Sequence, residues 1–231
     1  MEIPWYGPSD IANQMGPSML QLINDFHALS YYQCGWRNTK WMGVTAYKTP
    51  NDLWMYQEII HEIRPDLIVE TGTFQGGSAL YMATMLDYVD NGEIVTIDVN
   101  KPENPPQHPR LSYIHGSSIA PETADDVRER AKSAERVLVI LDSAHITAHV
   151  RKEMEIYADL VTPGSYMIVE DSNVNGHPVL PNYKESPDDE PGGPMEAITA
   201  FLEERDDFAV DTGCHRYLLT FNPNGYLRKK G

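Results

Sequence analysis

The stretch that decides the fold is Leu67-Ile68-Val69-Glu70-Thr71-Gly72-Thr73-Phe74-Gln75-Gly76-Gly77-Ser78, an apolar run followed by a glycine-rich turn. A helix is expected after the turn. Similar apolar runs recur downstream and are separated by segments with helical spacing; they cover residues 94–97, 111–114, 136–141 and 165–169. Continuous apolar strands that alternate with helices predict a mostly parallel α/β sheet with both faces covered.

The length of 231 residues suits one globular unit. We expect an N-terminal helical and aromatic extension over 1–50 and a globular domain over 51–231. Within that domain, Asn51 is expected to cap a helix, and residues 208–210 and 217–221 are expected to form an antiparallel strand pair. Residues 172–194 are rich in Pro, Gly, Asn and Asp and too long for a plain connector, which predicts a lid or binding loop.

The charge excludes several classes of partner. Lys and Arg total 18 against 34 Asp and Glu, so the formal net charge is −16. Such a surface repels nucleic acids and anionic membranes, and we expect neither as a partner. Cys34 and Cys214 match no zinc spacing and are expected to be reduced thiols. With no signal peptide and no apolar run of membrane-spanning length, the expected location is cytoplasmic.

The glycine-rich turn predicts a cofactor site. Its spacing departs from the GxGxxG of dinucleotide enzymes, and Glu70 precedes Gly72 by two positions. A carboxylate there would repel a pyrophosphate but would favour the ammonium group of S-adenosylmethionine (SAM), directly or through water. Asp98 ends the next strand, where a carboxylate can accept hydrogen bonds from both ribose hydroxyls. The predicted cofactor residues are therefore Glu70, Gly72, Thr73, Gly76, Gly77, Ser78 and Asp98.

Acids also follow two later strands. Asp142 ends one strand and Glu170-Asp171 follow the next. Neighbouring parallel strands lie about 4.8 Å apart, so these carboxylates can converge and bind a hard divalent ion such as Mg²⁺. His145 lies at the same strand end and is the expected base for an acceptor hydroxyl. The alternatives are that Asp142 or Ser143 caps a helix and that His145 is a surface residue; His149, His177 and His215 are taken as non-catalytic.

Four motifs resemble the cephalosporin hydroxylase and rhamnosyl O-methyltransferase family. They are Val69-Glu70-Thr71-Gly72-Thr73-x-x-Gly76-Gly77-Ser78-Ala79-Leu80, Ile140-Leu141-Asp142-Ser143-Ala144-His145, Leu160-Val161-Thr162-Pro163-Gly164-Ser165-Tyr166-Met167-Ile168-Val169-Glu170-Asp171, and the tail with Gly193-Pro194-Met195-Glu196-Ala197 and Leu218-Leu219-Thr220-Phe221-Asn222-Pro223-x-Gly225-Tyr226-Leu227. The resemblance runs from about Trp41 to Leu227. The acidic stretch 184–190 departs from the family's loop and leaves the acceptor open.

The resemblance implies a Rossmann-like class I methyltransferase fold, with a seven-stranded mostly parallel sheet and a C-terminal antiparallel strand. It also implies a magnesium site at Asp142, Glu170 and Asp171, with His145 as the base. Asp142, Ser117 and Ser118 join the cofactor residues, and the protein is expected to be a homo-oligomer. The expected reaction is O-methylation of a small molecule such as a sugar or natural-product scaffold. The alternatives are N- or carboxyl-methylation, a hydroxylase-type tailoring component, and a non-enzymatic SAM-binding subunit.

Overall fold

The computed structural model describes residues 17–231, and the first 16 residues of the predicted N-terminal extension lie outside them. The described helices are α1 (Pro17–Tyr32), α2 (Pro50–Ile63), α3 (Gly77–Val89), α4 (Pro121–Ala131), α5 (Thr147–Tyr157) and α6 (Pro194–Glu204). Short 3-10 helices cover Gly35–Asn38 and Thr212–His215. The strands are β1 (Lys40–Trp41), β2 (Val44–Thr45), β3 (Leu67–Thr71), β4 (Glu93–Asp98), β5 (Leu111–His115), β6 (Val137–Leu141), β7 (Tyr166–Val169), β8 (Phe208–Val210) and β9 (Tyr226–Lys229).

Seven strands form one sheet in the order β5-β4-β3-β6-β7-β9-β8. Strands β3 to β7 are parallel, and β9 runs antiparallel between β7 and β8. This confirms the predicted fold class. Because Thr71 pairs with Ile97 and with Leu141, the carboxyl ends of β3, β4 and β6 lie level at one edge. That edge carries the acids on which the site predictions depend.

The sheet has a buried helix layer on each face. On one face, α2 and α3 pack against side chains such as Ile68 and Ile140. On the other face, α4, α5 and α6 pack against side chains such as Val69 and Val139. Successive strand residues point to opposite faces, so strands buried on both sides must be apolar throughout. This is why β3 and β6 read as continuous apolar runs.

The predicted strand at 217–221 is wrong. The backbone there folds toward α2, since the Phe221 N–H donates to Asp52 at 3.0 Å and the Thr220 hydroxyl donates to the same carboxylate. The strand that pairs with β8 is β9, which begins at Tyr226. The buried Asp52 carboxylate accepts the hydrogen bond that the Phe221 N–H would donate to a neighbouring strand if this segment were in the sheet.

The predicted cap of α2 is also wrong. Thr49 is the cap, because its hydroxyl accepts a hydrogen bond from the Asp52 N–H at 3.1 Å. Asn51 lies within the first turn of the helix and donates to the Leu219 carbonyl at 3.0 Å. Cys34 and Cys214 are free thiols, as expected. Within residues 17–231, no helix combines the length and hydropathy that a membrane span needs.

Candidate active site

The glycine turn after β3 is enclosed by two other strand ends. Gly72 has φ +90°, and a Cβ on it would lie 1.8 Å from the Asp142 carbonyl oxygen. A Cβ on Gly77 would lie 2.3 Å from the Thr45 carbonyl oxygen. Only glycine permits this conformation and this close approach. The turn therefore touches the end of β6 on one side and the β1–β2 hairpin on the other.

Glu70 lies fully buried beneath the turn. Its two carboxylate oxygens accept hydrogen bonds from Ser78 and from Thr96, both at 2.6 Å. Burial raises the pKa of Glu70 to about 7, against the opposing pull of Lys48. Glu70 itself does not line the cavity, whereas Ser78 does. Any influence of Glu70 on a bound ligand therefore passes through Ser78 or through water.

Asp98 is held at the cavity by backbone amides. One oxygen accepts from the Phe74 N–H at 2.9 Å and the other from the Asn100 N–H at 2.7 Å. These donors fix the carboxylate beside the glycine turn, in the position expected for a ribose-binding acid.

The cavity has a volume of about 540 Å³. Most of the predicted cofactor residues line it: Gly72, Thr73, Gly77, Ser78, Asp98, Ser117, Ser118 and Asp142. Gly76 and Glu70 lie behind this surface. The glycine turn and the acidic strand ends thus share one cavity, as the strand order requires.

The acidic strand ends converge around His145. Its Nε2 lies 3.1 Å from Asp171 Oδ2 and 3.3 Å from Asp142 Oδ1. Burial alone would lower the pKa of the imidazole, but the charge of Asp171 and the hydrogen bond to Asp142 outweigh burial and raise it to about 9. One donor atom from each of these three residues lies within 4.8 Å of the others, so the group could hold a metal ion.

Glu170 lies beside this group with both oxygens in other contacts. Oε1 accepts from the Tyr56 hydroxyl at 2.6 Å, and Oε2 lies 2.6 Å from Lys48 Nζ. The same ammonium contacts Asp142 Oδ2. Burial and the charge of Asp142 raise the pKa of Glu170 well above its usual range. Lys48 and His145 outweigh burial at Asp142, so its pKa is lowered.

These elements are typical of a known protein family. The sequence model of the Rhamnosyl O-methyltransferase/CmcI family matches residues 33–230 of this chain. The chain belongs to this family. It is a SAM-dependent methyltransferase, which confirms the predicted enzyme class and cofactor and weighs against a non-enzymatic subunit.

Curated relatives of the family match nearly the whole chain. The rhamnosyl O-methyltransferase of Mycobacterium leprae (strain TN) is 34% identical over 215 residues, which covers 90% of this chain and 91% of that protein. The protein of the same name from Mycobacterium tuberculosis (strain H37Rv) is 33% identical over 230 residues and covers 96% and 87%. The family predicted from the motifs is therefore confirmed.

Solved structures agree on the fold. A structure of CmcI with Mg and SAM superposes with a TM-score of 0.63 at 21% identity and covers 84% of this chain and 78% of that one. A putative caffeoyl-CoA O-methyltransferase from Staphylococcus aureus gives a TM-score of 0.52 at 15% identity and covers 86% and 87%. At these identities the likeness supports the sheet and its helices.

Several residues that line the cavity are not among the predicted site residues. An aromatic wall of the cavity comprises Tyr31, Trp36, Tyr47, Phe74 and Tyr183. Tyr47 and Phe74 stack with ring centroids 4.5 Å apart. Three of these rings come from the segment predicted as an N-terminal extension, so that segment builds part of the site. Its only signal in the sequence was an excess of aromatic residues.

His149 also lines the cavity. Its Nε2 lies 3.0 Å from Ser143 Oγ and 3.2 Å from Ser118 Oγ. Ser143 in turn donates to the buried Glu153 at 2.7 Å. This hydrogen-bonded group joins the loop after β5 to the loop after β6 and fixes one end of the cavity.

Proposed function

We propose that this protein transfers a methyl group from SAM to a hydroxyl of a small molecule, assisted by a divalent ion. The position of His145 carries the proposal. Its imidazole contacts Asp142 and Asp171 in the same cavity as the glycine turn and Asp98. Methyl transfer to a hydroxyl needs a proton acceptor beside the cofactor, and the carboxylate pair offers ligands for the ion.

The cofactor is assigned to the turn side of the cavity. The turn from Gly72 to Ser78 would hold the methionyl part, Asp98 would accept hydrogen bonds from the ribose, and Ser117 and Ser118 would border the adenine base. Glu70 would stabilise the ammonium group through Ser78 or through water. Asp142 lies between the glycine turn and the other two acids, Glu170 and Asp171. It would therefore border both SAM and the divalent ion.

The donor set fits a hard divalent ion. Asp142 and Asp171 offer carboxylate oxygens within 4.8 Å of one another, with His145 at the same distance. Oxygen ligands of this kind suit Mg²⁺. Glu170 completes the ligand set that the resemblance implies, although its oxygens also contact Tyr56 and Lys48.

Bound SAM supplies the methyl group, and a bound divalent ion supplies positive charge beside the acceptor oxygen. His145 takes the acceptor's proton at an imidazole nitrogen. Asp171 and Asp142 hold the pKa of His145 above its usual value, and a divalent ion bound to the same carboxylates would weaken this effect. The aromatic wall and residues 172–194 limit the entry of water and orient the acceptor.

A sugar hydroxyl fits the other side of the cavity best. Rings such as Tyr47 and Phe74 offer apolar surface to the C–H face of a sugar, and Glu185 offers a hydrogen-bond acceptor. The curated relatives are named for rhamnosyl methylation. N- or carboxyl-methylation remains the alternative on the same site.

The test combines binding and product analysis. Calorimetry with S-adenosylhomocysteine, with NAD⁺ as the comparison ligand, checks the cofactor assignment. Labelled SAM is then incubated with simple rhamnosides and with matched amino sugars, with Mg²⁺ or with EDTA, and the methylated position is read by NMR. Methylated oxygen that depends on Mg²⁺ supports the proposal. Methylation only at nitrogen, or a rate unaffected by EDTA, would contradict the acceptor or the metal part.

A further inference from the structure

Lys48 places an ammonium group among the proposed metal ligands. Its Nζ contacts Asp142 Oδ2 and lies 2.6 Å from Glu170 Oε2. The side chain is 5% exposed, and the Glu170 side chain is 4% exposed. Among residues 17–231, it is the one Lys or Arg that forms ion pairs with the acids after β6 and β7.

The backbone on both sides of Lys48 is fixed. The Ala46 N–H donates to the Thr39 carbonyl at 3.0 Å, which ties the chain to the hairpin. Thr49 caps α2, and its hydroxyl also donates to Asp52 at 2.8 Å. Lys48 is therefore held in place by the fold, unlike a surface lysine that visits a nearby acid.

The charges explain why a cation is needed here. Asp142, Glu170 and Asp171 are gathered at neighbouring strand ends, and carboxylates that close, with limited exposure to water, repel one another. The Lys48 ammonium neutralises part of that charge. A divalent ion bound to the same carboxylates would be repelled by the ammonium and would compete with it for the oxygens.

We propose that Lys48 is a built-in competitor of the divalent ion. Its ammonium neutralises Asp142 and Glu170 when no ion is bound, and binding of the ion requires Glu170 to leave Lys48. This inference rests on the proposed metal-assisted function and concerns the affinity for the ion. Lys48 acts through its contacts with Asp142 and Glu170, and it sets the ion concentration at which the metal site fills.

The measurement is a titration of the SAM-free protein with Mn²⁺, with the free ion counted by electron paramagnetic resonance. Mn²⁺ is a hard ion that accepts the same oxygen ligands as Mg²⁺. Lys48→Met should bind Mn²⁺ at least tenfold more tightly than the wild type, because the competing charge is gone. Lys48→Arg retains the charge and should bind close to the wild-type value.

Further variants keep the test decisive. Lys48→Gln keeps a hydrogen-bond donor but no charge, so it should show the same gain if Lys48→Met fails to fold. Asp142→Asn should lose the specific site and so measures the background of the acidic surface. Adding Glu170→Gln to Lys48→Met should remove most of the gain.

The outcomes separate this inference from the function on which it rests. If the wild type binds Mn²⁺ and the folded Lys48→Met and Lys48→Gln variants bind it equally or more weakly, Lys48 is not a competitor. If neither the wild type nor the variants exceed the Asp142→Asn background, the metal site itself is absent, and both this inference and the metal part of the proposed function fall. Calorimetry with S-adenosylhomocysteine shows in each case whether the cofactor site is intact.

Discussion

Glu185 Oε1 accepts a hydrogen bond from the backbone N–H of His145 at 2.5 Å and lies 3.7 Å from His145 Nδ1. Glu185 belongs to the acidic stretch 184–190. The stretch therefore contacts the residue that we propose as the proton acceptor. Tyr183 donates to the same Glu185 oxygen at 3.3 Å, so the loop and His145 share one hydrogen-bonded group.

We expect Glu185→Gln to move the acidic limb of the pH–rate profile to lower pH. Glu185 is one of the carboxylates that raise the pKa of His145, after Asp171 and Asp142. Removing its charge lowers that pKa, and the base is then free of its proton at lower pH. The profile of kcat/KM checks this, with NMR titration of the imidazole as a direct readout.

The matched control is Glu190→Gln, the same change at an exposed position of the same stretch. It alters the net charge equally and should leave the acidic limb in place. An equal shift in both variants would assign the effect to the overall charge and remove Glu185 from the group around His145.

Replacing His145 by Ala should lower the rate by roughly 10²–10⁴. The imidazole is the proposed proton acceptor, whereas the glycine turn and Asp98, which we propose hold the cofactor, stay in place. Binding of S-adenosylhomocysteine, measured by calorimetry, should change little. Turnover at the wild-type rate would show that another group, or solvent, takes the proton.

Gly72→Ala should destabilise the protein far more than Gly164→Ala. Both glycines have positive φ, +90° and +82°, so both substitutions strain the backbone. Only at Gly72 does the new Cβ meet another atom, the Asp142 carbonyl oxygen at 1.8 Å. We expect a loss of about 1 kcal/mol at Gly164 and at least about 3 kcal/mol at Gly72.

Thermal unfolding without SAM measures this difference. For a chain of this size, 1 kcal/mol moves Tm by about 2–4 °C. Gly72→Ala should therefore unfold at least about 6 °C below the wild type, and Gly164→Ala about 3 °C below. Equal shifts would mean that the β6 end moves away from the turn at little cost.

The sheet could be predicted because its strands are buried on both faces. β4, β6 and β7 read as short apolar runs, and each ends on an acid or is followed by one at the carboxyl edge of the sheet. Position in a parallel sheet then brings Asp98, Asp142 and Asp171 to one cavity without further information. The local pattern of apolar strands and terminal acids was therefore enough to predict that these distant residues meet.

Lys48 could not be predicted in the same way. It lies in a stretch without periodicity, and its partners Asp142 and Glu170 are distant in sequence. Tyr56 reads as part of the apolar face of α2, yet its hydroxyl donates to Glu170. Nothing local marks an apolar-face tyrosine or a lone lysine as part of a charged cluster.

The failed strand at 217–221 has a similar cause. Its residues have strand propensity, but Asp52 in α2 accepts from the Phe221 amide and the Thr220 hydroxyl. A tertiary contact overrides the local preference. The tail motif Gly225-Tyr226-Leu227 contained the correct strand, and a Cβ on Gly225 would lie 2.1 Å from the Val169 carbonyl oxygen of β7.

Self-association remains a prediction from the resemblance, and α1 is where we expect it. Four apolar side chains there are about half exposed or more, at the 3-4-3 spacing of paired helices: Met19, Leu22, Phe26 and Leu29. Asp25 is the one Asp, Glu, Lys or Arg in α1, so two copies can meet without strong charge repulsion. Light scattering should give a multiple of 26.1 kDa.

Phe26→Glu should shift that mass toward the monomer. Tyr88→Glu adds the same charge at another exposed aromatic residue, 82% exposed in α3, and should leave the mass unchanged. A monomeric wild type would contradict the prediction. An oligomer insensitive to Phe26→Glu would place the interface elsewhere.

His27 should make the protein less stable in mild acid. Its ring stacks on Phe221 with centroids 5.6 Å apart, and Nε2 lies 3.0 Å from Asn173 Nδ2. Burial lowers the pKa of His27 from 6.5 to about 4. Below pH 6.5, His27 therefore binds a proton in the unfolded chain but not in the folded protein. The free energy of unfolding falls as the pH drops from 6.5 toward 4.

The expected loss from His27 between pH 7 and pH 5 is about 2 kcal/mol. His27→Gln cannot take up that proton, so its free energy of unfolding should fall by that much less than the wild type's over the same interval. Urea unfolding at the two pH values measures both proteins.

Burial also lowers the pKa of His215 to about 4, but His215 is present in both proteins, so its contribution cancels in the comparison. His115→Gln makes the same substitution at an exposed histidine and serves as the matched control. Identical slopes for wild type and His27→Gln would show that the folded protein accommodates the charged ring, and that the contact with Phe221 and Asn173 opens before the chain unfolds.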